Sequence, residues 1–225
     1  MVINWVKKKM PSTTKRPIYL LSPKLKEATL PLPMIEFQTT AKSIDFSICD
    51  TLMFTSKQAV VTAEQIDSYW KSIPTIAIGI ATKRQIEELG GKVIYHPKHF
   101  YGSRLADDIK EKFSNKKILY LRPKKISFDS RAYLAQSNIE LQEQVIYQTS
   151  CVEYKSDKQP PPNSIIIFTS PSTIECFLGN FEWLSSYTAV VIGESTKVHL
   201  PKGCDFVVSD VPFIDSCIKR AMEIN

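Results

Sequence analysis

Short runs of consecutive apolar residues recur along the chain, separated by stretches in which apolar residues return every three or four positions. The runs at 18–21, 51–54, 75–78, 118–121, 165–168, 189–192 and 206–208 predict buried strands. The spacing between them predicts helices over 58–70, 82–89, 103–113, 173–178 and 212–222, the second closed by Gly90-Gly91. Strands that are apolar throughout, alternating with helices, predict an α/β fold with parallel sheets covered on both faces. The stretch 155–163, with Pro160-Pro161-Pro162, reads as a loop.

The pattern repeats itself. Phe54-Thr55-Ser56 returns as Phe168-Thr169-Ser170, and Ile78-Gly79-x-x-Thr82-Lys83 as Ile192-Gly193-x-x-Thr196-Lys197, both 114 residues on. Ile18-Tyr19-Leu20-Leu21 resembles Ile118-Leu119-Tyr120-Leu121, and Ile35-Glu36-Phe37-Gln38-Thr39 resembles Val145-Ile146-Tyr147-Gln148-Thr149. Several matches in one register indicate an internal duplication, hence two similar small α/β domains. The second copy has room for a helical stretch near 128–136. The first has only the proline-punctuated 23–33 there, so it is expected to lack that helix.

Composition narrows the function. The chain has 225 residues, 43% hydrophobic and 23% charged, which is globular rather than disordered. No apolar run approaches the roughly 18 residues of a membrane span, and Val2 to Val6 runs directly into Lys7, Lys8 and Lys9 rather than into a signal peptide's apolar stretch. The formal net charge is +6, but Lys7, Lys8, Lys9, Lys15 and Arg16 lie within 1–17 without an acid. The excess therefore belongs to a basic, flexible tail, and a nucleic-acid partner is not expected. Five scattered cysteines (Cys49, Cys151, Cys176, Cys204, Cys217) read as reduced core residues of a cytoplasmic protein rather than a disulfide framework.

Candidate chemistry sits where strands end, since open α/β sheets bind ligands beyond the carboxyl ends of their strands. Thr55-Ser56 and Ser170, with Pro171 at the first helical position, follow strands and open helices. Gly79 and Gly193 end strands ahead of Thr82 and Thr196. Each helix start offers unpaired N–H groups and the positive end of a helix dipole, so four together suit a polyanionic ligand; taken singly, each is also an ordinary cap or tight turn. Arg122 and Lys124, after a strand, would meet an anion or be solvated. His96-x-x-His99 lacks further ligands at suitable spacing, and no metal is expected. Phosphate-loop, dinucleotide and nucleophile-elbow motifs are absent.

The ordered set Phe-Thr-Ser-x-x-Ala-Val (54–60), Ala-Ile-Gly-x-x-Thr (77–82), Gly-Ser-Arg-Leu-Ala-Asp (102–107), Leu-Tyr-Leu-Arg (119–122), Ile-Tyr-Gln-Thr (146–149), Phe-Thr-Ser-Pro-Ser (168–172) and Val-Ile-Gly-x-x-Thr (191–196) resembles the uroporphyrinogen-III synthase family. The resemblance implies two α/β domains joined by a two-strand crossing, with a cleft between them. Domain one would combine 18–33 with 150–225, domain two would be 40–144, and 34–39 and 145–149 would be the crossing strands. The family enzyme cyclises hydroxymethylbilane, a linear tetrapyrrole bearing acetate and propionate groups, to uroporphyrinogen III in heme biosynthesis. It inverts ring D, loses water, and uses no metal or organic cofactor. A monomer is expected, with transient hand-over of substrate from hydroxymethylbilane synthase.

The resemblance also implies site residues. A Tyr matching Tyr147 is the favoured proton donor to the departing hydroxyl, and its duplicate here is Phe37, which keeps the ring without the hydroxyl. The structural alternative is a half-buried strand residue at the hinge. Thr55, Ser56, Thr82, Ser103, Arg122, Ser170, Ser172, Ser195 and Thr196 are expected to bind substrate. The shortened 23–33 departs from the family and would remove a wall near Ser22 to Lys24. A non-catalytic sensor of tetrapyrroles or other polycarboxylates is the alternative from another class. A periplasmic-type solute-binding protein is disfavoured by the missing signal peptide and the odd cysteine number.

Overall fold

A computed structural model describes residues 15–98 and 101–225, so most of the basic tail and His99 of the His96-x-x-His99 pair lie outside the described residues. In chain order come β1 (Ile18–Leu20), β2 (Leu30–Pro31), β3 (Ile35–Thr39), β4 (Thr51–Phe54), α1 (Lys57–Ile66), β5 (Thr75–Ala77), α2 (Ile80–Glu88) and β6 (Val93–Tyr95). There follow α3 (Gly102–Lys112), β7 (Ile118–Pro123), α4 (Ser130–Ala135), β8 (Leu141–Cys151), β9 (Ile165–Phe168), α5 (Pro171–Asn180), β10 (Thr188–Val191), α6 (Glu194–Lys197), β11 (Asp205–Val208) and α7 (Ile214–Glu223). They fall into two units. The first holds the described residues up to Met34 together with Glu153–Asn225, and the second is Ile35–Val152.

The second unit carries a sheet in the order β3-β8-β7-β4-β5-β6, parallel throughout except for β3 against β8. β4, β5 and the first four residues of β7 are buried on both sides because both faces of the sheet are covered there. Leu52, Phe54, Leu119 and Leu121 pack with Ala59, Val60 and Ala63 of α1 and Ile86 of α2. Met53, Ile76, Ile118 and Tyr120 pack on the opposite face with Leu105, Ala106 and Ile109 of α3 and Leu134 of α4. Phe54 meets Trp70 edge to face at 5.6 Å. The predicted helix 58–70 ends early, because Asp67 takes an extended backbone and its carboxylate accepts the Tyr69 N–H, starting a separate 3-10 turn over Ser68–Ser72. At the end of α2, Gly90 (φ +91°) and Gly91 return their N–H groups to Glu87 and Ile86, the Schellman closure that Gly90-Gly91 foreshadows.

The first unit has the order β11-β10-β9-β1-β2, all parallel. Ile18, Leu20, Ile165, Ile167 and Val190 pack against Cys217, Ile218 and Ala221 of α7. An aromatic group of Phe168, Phe177, Phe181, Trp183 and Tyr187 builds further core through edge-on and tilted contacts. Matching β9-β1 to β4-β7 superposes the two strand orders, as the 114-residue register requires. Between β1 and β2 no helix forms, so the first copy lacks its counterpart of α4.

The cysteine reading needs correction. Cys151 and Cys176 are disulfide-bonded, and Cys49, Cys204 and Cys217 are free, of which only Cys217 is buried. Disulfide formation depends on tertiary geometry that spacing along the chain does not encode.

Candidate active site

In a doubly wound sheet the ligand crevice opens where neighbouring strands lead their chains away in opposite directions. In the second unit that place lies between β7 and β4: β4 runs through α1 to β5, and β7 runs through α4 to β8. Thr55 and Ser56 sit immediately beyond β4, and Arg122 lies near the end of β7. Ser56 caps α1, its hydroxyl oxygen accepting the Ala59 N–H at 3.0 Å, as the sequence predicts for a serine between strand and helix.

Tyr147, on β8, brings its hydroxyl to 2.9 Å from the Ser56 hydroxyl. Its ring is only 4% exposed and meets Phe37 edge to face at 5.8 Å. Burial holds the phenol above its ordinary pKa, and the Ser56 hydrogen bond offsets part of that rise. It is therefore protonated at any physiological pH. Ser56 already accepts from Ala59, so its own O–H is free to donate to the phenol oxygen. In that arrangement the Tyr147 proton points elsewhere and is available to a third group.

A second phenol reaches the neighbouring residue. Tyr120 of β7 places its hydroxyl 2.6 Å from that of Thr55. Burial pushes its pKa up to about 12, against smaller lowering effects from Thr55 and Arg122. Beside it Arg122 Nε lies 3.1 Å from Glu143 Oε2, and its terminal nitrogen Nη1 donates to the Pro123 carbonyl. Arg122 thus spends much of its charge on Glu143. Sequence reasoning missed Tyr120 and Glu143. The available signal was a phenol inside a buried strand, which needs a partner for its O–H.

The remaining residues lie at other helix starts. In the second unit Thr82 is buried in the first turn of α2, and Ser103 is exposed at the start of α3. In the first unit Ser170 caps α5 in a reciprocal box with Thr173, and Ser172 lies in the same turn. Ser195 and Thr196 belong to α6, which has only four residues and carries Glu194 in its first turn. The four helix starts are therefore not equivalent: the single turn of α6 has little dipole to offer, so Ser195 and Thr196 bring hydroxyl groups rather than a helix dipole. Among the described residues no three His, Cys, Asp or Glu side chains come together as metal ligands would, and no helix is long and apolar enough to cross a membrane.

Residues 24–219 match the family model described as uroporphyrinogen-III synthase HemD. A search of curated proteins gives no significant match. Among solved structures, the chain resembles uroporphyrinogen-III synthetase from Helicobacter pylori, with 25% identity and a TM-score of 0.77, covering 94% of this chain and 100% of that one. It also resembles a mutant uroporphyrinogen III synthase from Thermus thermophilus at 13% identity, with a TM-score of 0.59 over 94% of this chain and 100% of that one, a likeness of fold.

Proposed function

The chain belongs to the uroporphyrinogen-III synthase HemD family, and from that membership we propose that Tyr147 supplies the proton on which its reaction turns. The protein is a lyase of heme biosynthesis that closes hydroxymethylbilane to uroporphyrinogen III, inverting ring D and losing water. A polycarboxylate-binding protein without turnover is not favoured, since the family match spans nearly the whole chain.

The chemistry asks first for departure of the hydroxyl on the hydroxymethyl carbon of ring A, at the opposite end of the bilane from ring D. The Tyr147 O–H, supported from behind by Ser56, donates to that oxygen and water leaves. The azafulvene cation left on ring A is then attacked by the substituted α-carbon of ring D, giving a spiro intermediate. The bond from that carbon to the ring C methylene breaks, the free α-carbon of ring D takes that methylene instead, and loss of its proton restores the balance. The phenol is a weak acid, so its contribution is modest; orientation of the folded bilane carries the selectivity for type III over the spontaneous type I product.

For the substrate carboxylates we assign Thr55, Ser56, Thr82, Ser103 and Arg122 in the second unit, and Ser170, Ser172, Ser195 and Thr196 in the first. The starts of α1, α2 and α5 supply backbone donors that hold carboxylate oxygens without a basic surface, which suits a chain whose excess charge lies in its first seventeen residues. The proposal has the enzyme act as a monomer in the cytoplasm, with the short-lived bilane passed to it from hydroxymethylbilane synthase.

The observation that carries the catalytic assignment is the Tyr147–Ser56 hydrogen bond at a helix cap beside the switch point. The test generates hydroxymethylbilane in situ, adds the protein, oxidises the products and separates type I from type III uroporphyrin chromatographically. Predominant type III is expected; type I alone would remove the reading.

A further inference from the structure

Tyr120 lies on the strand face that packs against α3 and α4, among Met53, Ile76, Leu134 and Leu141. In such surroundings an apolar residue of similar length would fill the space. The other copy shows this directly: Leu20 pairs with Ile167 in β1–β9 as Tyr120 pairs with Met53 in β7–β4, and Ile167 lies 114 residues beyond Met53. Leu20 is completely buried. The fold therefore accepts a leucine at this place, and the second unit carries a hydroxyl there that packing does not require.

That hydroxyl has a specific partner. It lies 2.6 Å from Thr55 Oγ1, and Thr55 is half-buried at the carboxyl end of β4, next to Ser56. Either hydroxyl can donate in such a pair; the Ser56 oxygen already accepts the Ala59 N–H, whereas the Thr55 oxygen is left to accept from the buried Tyr120 O–H. The Tyr120 proton then points at Thr55 Oγ1, and the threonine proton is left to donate outward. Thr55 is β-branched, with few side-chain rotamers, so one hydrogen bond is enough to fix the direction of its hydroxyl. Burial keeps Tyr120 protonated through the physiological range, so the donor direction does not reverse with pH.

We propose that Tyr120 is a positioning residue that orients the Thr55 hydroxyl as a donor to a carboxylate oxygen of the tetrapyrrole substrate. The two phenols divide the work. Tyr147 reaches Ser56 from the face packed by α1, Tyr120 reaches Thr55 from the face packed by α3 and α4, and both end at adjacent residues of one strand terminus. The inference rests on the synthase reading above, and concerns binding rather than the proton given to the leaving hydroxyl.

The test is a double-mutant cycle of Tyr120→Phe and Thr55→Val with Thr55→Ser as the conservative variant, each assayed for KM, kcat and type III product and checked by thermal unfolding. Tyr120→Phe is expected to raise KM about tenfold, the scale of one hydrogen bond to a charged group, with kcat within about twofold. Thr55→Val should do the same, the double variant should be no worse than Thr55→Val alone, and Thr55→Ser should keep a KM near wild type. Losses that multiply in the double variant, or a Tyr120→Phe enzyme with unchanged KM, would overturn the proposal. Should Thr55→Val fail to fold, Tyr120→Phe against Thr55→Ser decides the matter, because a merely structural Tyr120 would lower the melting temperature without moving KM. Wild-type protein yielding only type I uroporphyrin would instead bring down the synthase reading itself, and this inference with it.

Discussion

Replacing Tyr147 by phenylalanine removes one oxygen and leaves the ring. The edge-to-face contact with Phe37 at 5.8 Å and the buried packing of the ring survive. The stability cost is the Tyr147–Ser56 hydrogen bond alone. Ser56 keeps its bond from Ala59 and is half-buried, so water can satisfy its freed O–H. The loss is then about 0.5–1.5 kcal/mol. For chains of this size that lowers the melting temperature by roughly 2–4 °C per kcal/mol. The catalytic cost is larger. General acids contribute about 10²–10⁴-fold, and a phenol held above its ordinary pKa belongs at or below the bottom of that range, so kcat should fall about 10- to 100-fold. This corresponds to about 1.4–2.7 kcal/mol of transition-state stabilisation. Because hydroxymethylbilane closes spontaneously to the type I isomer, the slowed enzyme also loses in the product ratio. In-situ generation of the bilane, with chromatography of both isomers and a parallel thermal melt, reads both effects. A variant that melts slightly lower yet retains kcat within about twofold would make Tyr147 a packing residue and refute the assignment.

Two further outcomes follow from geometry. A Cβ at Gly91 would lie 2.4 Å from Trp70 Cζ3 and 2.9 Å from Ile86 Cγ2, both in a packed core, so Gly91→Ala should cost about 1–3 kcal/mol in urea unfolding; an unchanged midpoint would show that the indole can retreat. Alkali should expose Tyr120: below about pH 10 its phenol is protonated in both folded and unfolded chains, whereas above it only the unfolded phenol ionises. Its contribution is therefore lost as pH rises from about 10 to about 12, amounting to about 2–3 kcal/mol. Tyr120→Phe should accordingly lose less stability than wild type between about pH 9 and 11.5, and identical losses would argue against a buried, unionised phenol.

Much of this architecture is legible in the sequence because its strands are continuous apolar runs, the mark of a sheet covered on both faces. Residues 51–54 and 165–168 are strands in both readings. What escapes has physical reasons. β6 is three residues long and only partly buried, and β2 is a two-residue edge containing Pro31, so neither leaves a periodic trace. The cap at Ser170 could be read because a capping serine followed by proline acts locally. Arg122 could not be read as engaged, since its partner Glu143 lies on another strand and their pairing is a matter of register. Tyr120 escaped for the same reason, for its partner Thr55 is sixty-five residues away in the chain.

The order of synthesis gives the strand arrangement another meaning. The second unit is one uninterrupted stretch, Ile35–Val152, whose first strand pairs with its last, Ile35 opposite Cys151. The sheet of the first unit sets β1 against β9, and the whole of the second unit is made between them. On a ribosome, the apolar strand at Ile18–Leu20 has only the two-residue edge strand β2 beside it until Ile165 follows, while an entire intervening sheet can complete itself. Such a nascent chain carries a strand with one edge unpaired, and so aggregation-prone, while all of Ile35–Val152 is made. It is during that interval, rather than in the finished enzyme, that the protein most needs a chaperone.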